Sequence, residues 1–267
     1  MPRSERTPAV LLRSVVYGET DRIVTLLTES HGKVGAIARG ARASRRRFGA
    51  HLEPYSLIEA ELVFGRGDLA RLASARGVRV FPGILADLGR MTVAAAGLEV
   101  VRLAVADGDP PDARLLPTVV RLFELAEQSH EEVLRVAFVM RVLSLTGLAP
   151  GLERCGKCGR VAPAGRAAYF DPTLGSVVCR ACGGAHLKLS GTLRRLLIAA
   201  QGRGWDDVAT TALPAALSRV AAQTMDEFAV AHLGRRLAAG EAVGQVREMK
   251  RIYRAASNPE GPPENNP

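Results

Sequence analysis

All four cysteines of the chain fall into two matched spacings, Cys155-Gly156-Lys157-Cys158 and Cys179-Arg180-Ala181-Cys182, with twenty residues between the pairs. That is the ligand arithmetic of a tetrahedral structural zinc site. In each pair the two-residue spacer lets both thiolates turn back onto one Zn2+ ion. Four thiolates close the coordination shell and leave no position for water or substrate. Such a site fastens a small module and hydrolyses nothing. Two disulfides, or four unrelated thiols, are the alternatives, and matched spacing favours the metal. His186 follows Cys182 by four residues and could replace a ligand, but an all-cysteine set is simpler.

At 267 residues and 47% hydrophobic content, the chain can bury a sizeable core divided into two domains or more. Met1 to Pro8 is polar and lacks the apolar core of a signal peptide. The most apolar run, Met91 to Val105, is broken by Thr92, Gly97, Glu99 and Arg102, which argues against a membrane span. Reduced cysteines and a structural metal fit the cytoplasm.

The formal charge of +9 favours a polyanionic partner. Arginine accounts for all but four of the 36 basic residues, so placement carries more information than number. Residues 1–82 hold 14 Lys+Arg against 8 Asp+Glu, a net +6 of the total +9. Within them Arg39, Arg42, Arg45, Arg46 and Arg47 crowd into nine residues with no acid among them.

The first eighty residues alternate like strands: Ala9 to Tyr17, Ile23 to Thr28, Val34 to Arg39, Tyr55 to Phe64 and Leu69 to Val80. Glycine turns separate most of them, and one long basic connection separates the third from the fourth. Five strands so arranged predict a small closed barrel of the OB type, with an open antiparallel sheet as the alternative. From Pro82 the period becomes helical. Helices are predicted over Ile84 to Ala106, Leu115 to Gln128, Glu131 to Leu145, a stretch capped by Ser190, Leu213 to Ala238, and Glu241 to Tyr253. Ser257 to Pro267, dense in Pro, Asn and Glu, is expected to be disordered. The expected organisation is α+β: an OB-fold domain over 1–82, an all-α domain over 83–254 with the zinc module at 153–187, and a tail over 255–267. Asp171-Pro172-Thr173-Leu174-Gly175 would form the ribbon turn between the two knuckles.

The basic connection Arg39-Gly40-Ala41-Arg42-Ala43-Ser44-Arg45-Arg46-Arg47-Phe48 is the best binding candidate, with Lys33 close before it. Guanidinium forks match phosphate oxygens, Gly40 permits close approach, and Ser44 can donate to phosphate. Phe48 would either stack on a base or belong to the core. The five histidines match no metal-ligand spacing, and the chain carries no phosphate-binding loop, nucleophile elbow or dinucleotide fingerprint. Glu59 and Glu61 share one strand face, as is ordinary for an outward face. Nothing here points to an enzyme.

The run Tyr17-Gly18-Glu19-Thr20-Asp21-Arg22-Ile23-Val24-Thr25-Leu26-Leu27-Thr28, followed by His31-Gly32-Lys33 and Ala38-Arg39-Gly40-Ala41-Arg42, resembles the start of the bacterial RecO recombination-mediator family. Leu52-Glu53-Pro54-Tyr55-Ser56-Leu57 and the quartet within a helical C-terminal part are similar too, so the resemblance covers about residues 8–250. It implies an OB-fold domain, a helical domain with a zinc module and no catalytic residues. It further implies binding to single- and double-stranded DNA, annealing of complementary strands, and work with RecR to load RecA onto DNA coated by single-strand-binding protein. That protein's acidic, apolar C-terminal tail would be engaged as well. Arg39 and Arg42 fall on the family's basic stretch, and Arg45, Arg46 and Arg47 fit its usual charge. In the helical half, Arg135, Arg141, Arg194 and Arg195 lie beside apolar positions, which permits a tail site without assigning one. An OB-plus-ribbon RNA or transcription factor is the rival reading. A metal-dependent nuclease or deaminase is a weaker rival, since the deaminase H-x-E signature is absent.

Overall fold

The computed structural model describes residues 3–44, 47, 48, 52, 54–108 and 112–234. Five strands, β1 (Arg3–Tyr17), β2 (Asp21–Thr28), β3 (Gly32–Ala38), β4 (Ser56–Phe64) and β5 (Ala70–Val80), close into a barrel in the order β1-β2-β3-β5-β4. The open-sheet alternative is thereby excluded. Closure depends on β1 serving two neighbours: Arg3 to Val10 pair with β4, and Ala9 to Tyr17 pair with β2. The strand therefore begins six residues before the apolar alternation announces it. Its first half is polar and is held by ladder pairing with β4, and of Ser4 to Pro8 only Thr7 is buried. A register shift between Leu11 and Arg13 bends it around the barrel. Among the described residues the one parallel pairing within the barrel, β3 with β5, completes the ring.

Inward residues such as Val24, Leu26, Ile58, Leu62 and Leu72 fill the barrel. A second, larger core lies outside it. Val10, Leu12, Leu27 and Tyr55 on the barrel wall join the apolar faces of the helices.

Those helices are a short turn α1 (Pro82–Leu85), then α2 (Leu88–Ala104), α3 (Leu115–Ala126), α4 (Glu132–Leu145), α5 (Gly191–Gln201), α6 (Trp205–Ala209) and α7 (Ala215–Leu233). The helix expected over Ile84 to Ala106 is divided, because Asp87 caps α2 by accepting from the Arg90 amide at 3.0 Å. Ser190 caps α5 as expected, accepting from the Leu193 amide at 3.2 Å. α7 ends at Gly234 in the left-handed region, φ 72°. The helix expected over Glu241 to Tyr253 and the tail expected to be disordered lie outside the described residues. Helix α4 runs through the middle and packs against α2, α3, α5, α6 and α7. No described helix is long and apolar enough to cross a membrane.

Barrel and helices meet along a specific seam. Tyr55 holds a left-handed backbone, φ 63°, with its ring edge-on to Phe123 at 5.9 Å and its hydroxyl donating to the Met91 carbonyl at 3.2 Å. That conformation is strained for a non-glycine residue, and packing on both sides enforces it. Between α4 and α5 the chain leaves the helices to form a small sheet of β6 (Ala168–Asp171), β7 (Ser176–Val178) and β8 (Leu187–Leu189), in the order β7-β6-β8. Asp171 accepts from the amides of Thr173 and Leu174, which makes the β6–β7 turn where the sequence places it.

Candidate nucleic-acid interface and metal centre

The four cysteine sulfurs converge from two loops. Cys155 and Cys158 stand on the turn before β6. Cys179 caps and Cys182 ends a single 3-10 turn, Arg180–Cys182, whose exit, Gly183, takes φ 100°. All four sulfurs lie within 4.8 Å of one another, and Cys158 and Cys179 are 3.8 Å apart. A disulfide requires about 2.05 Å. Four ligands at about 2.3 Å from one tetrahedral ion stand about 3.8 Å apart, so the arrangement fits a shared metal and not paired disulfides. The Cys179 amide donates to the Cys155 sulfur at 3.4 Å. That amide, with those of Cys158 and Lys157, pulls the Cys155 thiol down to about 6. The neighbouring sulfurs of Cys158 and Cys179 push Cys182 up to about 12. Sulfurs this close cannot all carry charge unless a cation lies between them. His186 is not part of the set: its ring meets Glu227 of α7 at 2.7 Å.

The basic connection is folded back on the β1–β2 hairpin. Gly40 takes φ 64°, and its amide donates to the Asp21 carboxylate at 2.7 Å. Arg42 donates from its amide to the Thr20 carbonyl at 3.0 Å and from Nη1 to the Glu19 carbonyl at 2.8 Å. The Gly40 amide, the Thr20 hydroxyl and then Arg39 hold the Asp21 carboxyl below its ordinary value. Further on, Arg47 donates to the Arg39 carbonyl at 3.0 Å and to the Ser44 hydroxyl at 3.3 Å. Arg39, Arg42 and Arg47 are exposed, whereas Phe48 is 1% exposed and sits in the barrel core. Phe48 is thus a plug that anchors the loop, with the Arg47 guanidinium 5.2 Å from its ring. It offers no face to a base. Arg45 and Arg46 lie outside the described residues.

Lys33 does not join this cluster. Its ammonium donates to the Arg102 carbonyl at 2.9 Å and lies 3.5 Å from Asp107, with the side chain 11% exposed. The lysine faces the helices because β3 presents that position to the seam. Arg135, Arg141 and Arg194 are likewise buried, so of the four helical arginines only Arg195 is at the surface.

One residue that sequence reasoning passed over belongs here. Tyr17 is 54% exposed, at the end of the hairpin whose Glu19, Thr20 and Asp21 hold the basic loop. An aromatic closing a strand reads as an ordinary β residue, and only the fold ties the turn that follows it to the basic loop. Glu59 and Glu61 are absorbed by the barrel's outer face, on Arg76 and on Ser74 and Ser4. Among the described residues the quartet is the one cluster of His, Cys, Asp or Glu that could hold a metal.

Two family descriptions cover most of the chain: Recombination protein O N terminal over residues 1–81 and Recombination protein O C terminal over residues 85–240. A DNA repair protein RecO of Anaeromyxobacter dehalogenans (strain 2CP-C) is 41% identical over 243 residues, 89% of this chain and 94% of that protein. Its namesake in Myxococcus xanthus (strain DK1622) is 35% identical over 240 residues, 89% and 96% of the two chains. In Rubrobacter xylanophilus the likeness is 37% over 179 residues, 66% of this chain and 71% of that one. With both halves matched in order, a five-stranded barrel leading into helices and a four-cysteine module between them, this chain belongs to the RecO family of DNA repair proteins.

Proposed function

We propose that the protein is a non-enzymatic mediator of recombinational repair. It binds single- and double-stranded DNA, anneals complementary strands without ATP, and with RecR helps load RecA onto DNA coated by single-strand-binding protein, whose acidic tail it engages. Residues 1–82 form the DNA-binding domain and 83–254 the helical domain, and the work is done in the cytoplasm on nucleoid DNA. The observation that carries the reading is the exposed trio Arg39, Arg42 and Arg47 on a loop fixed at one side by Asp21 and at the other by Phe48. A loop whose Arg42 and Arg47 are already anchored on backbone carbonyls meets phosphates with little ordering cost. Arg45 and Arg46 extend its charge, and Tyr17 offers a stacking face for an unpaired base.

Annealing follows from charge. Two strands approach when their phosphates are neutralised, and no bond is made or broken, so no catalytic group is required. Zn2+ bound by Cys155, Cys158, Cys179 and Cys182 is structural, one per chain, and cross-braces the excursion between α4 and α5.

The test is annealing of two labelled complementary strands without ATP, across a salt titration and with single-strand-binding protein present. Protein-dependent annealing that fades with salt supports the reading. Tight RNA binding without DNA annealing overturns it in favour of an RNA-binding barrel-and-ribbon protein.

A further inference from the structure

The metal module carries a cavity of about 420 Å³, within the range of about 300–1,000 Å³ typical of ligand sites. Arg160, Arg166, Arg180 and Lys188 stand around it, and no carboxylate lines it. All four are exposed, and none forms an ion pair with a described carboxylate. Like charges gathered in excess of their counter-charge repel one another, and an anion entering among them relieves that repulsion. The metal does not account for them. A divalent ion with four thiolates carries a net charge of about −2, and four cations exceed it.

Apart from Cys155 and Cys179 of the metal set, the remaining lining is largely apolar and includes Val161, 55% exposed, and the Tyr169 ring. Arg180 places its guanidinium 5.7 Å from the centre of that ring and donates to its hydroxyl at 3.3 Å. The wall is held rigidly from behind. Arg194 of α5, 2% exposed, donates to the carbonyls of Ala162 and Pro163. Gly191 lets the Gly165 carbonyl lie against α5, where any side chain would overlap it.

We propose that this cavity receives one nucleotide of a single-stranded nucleic acid. Its phosphate lies against the guanidinium and ammonium groups, and its base lies on the floor formed by Tyr169 and Val161. The proposal rests on the DNA-binding reading above and adds a second contact, on the zinc module, to the one on the barrel. A duplex keeps its bases stacked and cannot fill the floor. An acidic peptide would satisfy the cations but leave the Tyr169–Arg180 pair without a planar partner, so the strand is favoured.

The experiment is fluorescence anisotropy of the zinc-loaded full chain with labelled oligo(dT) across a salt titration. Three proteins are compared: the parent, Arg166→Glu/Lys188→Glu, and Arg39→Glu/Arg42→Glu, each checked for metal content and thermal melting. At about 0.7 of salt slope per phosphate on single strands, the module variant should lose about one unit of slope and bind about tenfold more weakly. Parent-like binding in a metal-replete module variant overturns the cavity while the barrel variant still reports on the general reading. Retained DNA binding with lost affinity for an acidic apolar peptide overturns it as well. If the parent itself does not bind oligo(dT), the DNA-binding reading fails first and the cavity with it. Should the module variant lose its metal, the parent decides: photocrosslinking from iodouracil-substituted oligo(dT) should label the peptide containing Tyr169, and label confined to barrel peptides sinks the proposal.

Discussion

Asp226 on α7 reaches Arg135 on α4, Oδ1 to Nη1 at 3.1 Å, through the middle of the helical half. Glu132 holds the other side of the same guanidinium at 2.5 Å, and the arginine side chain is 1% exposed. Burial pulls the Arg135 pKa down, but the two carboxylates outweigh it and leave it above its ordinary value. Through the triad α7 is fixed to α4 by charge as well as by apolar contact.

Removing part of it should therefore cost more than removing all of it. Glu132→Ala leaves a buried cation under-compensated and should lower stability by about 3–5 kcal/mol. Asp226→Ala, from the partly exposed side, should cost less, about 1–3 kcal/mol. Replacing Glu132, Arg135 and Asp226 together by apolar residues of like volume should return most of the loss. Denaturant midpoints of the three variants give the order directly, and a triple variant weaker than Glu132→Ala would contradict it.

Asp21→Ala sets charge against position. Losing an acid beside the basic loop should strengthen DNA binding if bulk charge decided the matter. Because Asp21 holds the Gly40 amide, we expect severalfold weaker binding with the fold intact. The wild-type pH profile carries the same sign. The Asp21 contact is complete above the ordinary carboxylate pKa of 3.8 and is lost as pH falls through the lowered folded value. Anisotropy of the variant at one salt concentration reads the outcome, and tighter binding would refute the positioning role.

Cys155→Ser should abolish metal binding and loosen the module while leaving the barrel untouched. Zinc-peptide folding couples to metal at about 10–16 kcal/mol, so a module of this size should not survive unligated. Elemental analysis of the purified variant, with hydrogen exchange over residues 153–187 against 3–44, separates local from global loss. Full metal content would show that the ligand set is wrong.

Phe48 and Tyr17 should part company. Phe48→Ala removes the plug of the barrel and should cost about 3–5 kcal/mol of stability. Tyr17→Ala should leave the melting temperature unchanged and weaken single-strand binding by about 1–3 kcal/mol, the worth of one stacked base. The reverse pattern would mean that the roles have been exchanged.

The features legible in the sequence are those whose cause is local. Cysteine spacing, the Ser190 cap and the Asp171 turn each act within four residues, and all three stand where the sequence places them. The five strands are legible from Ala9 onward because each carries an apolar run or alternation bounded by turn residues. The polar start of β1 is not, since only its pairing with β4 makes it a strand. Likewise nothing local distinguishes Lys33, turned to the seam, from Arg39, turned to water. Their difference lies in a contact with Arg102 and Asp107, about seventy residues away in sequence. For the same reason the sequence does not show that Arg135, Arg141 and Arg194 are buried or that Tyr17 is exposed beside the turn that holds the basic loop.

The seam that captures Lys33 and Tyr55 also bears on how the chain can be divided. A fragment ending at Val80 would expose Val10, Leu12, Leu27 and Tyr55 to water, a side of the barrel meant for helices. Such a fragment should self-associate or cling to chaperones. The two halves behave like subunits of an obligate heterodimer that happen to share a peptide bond. Co-expressed as separate polypeptides, they should find each other and rebuild the whole.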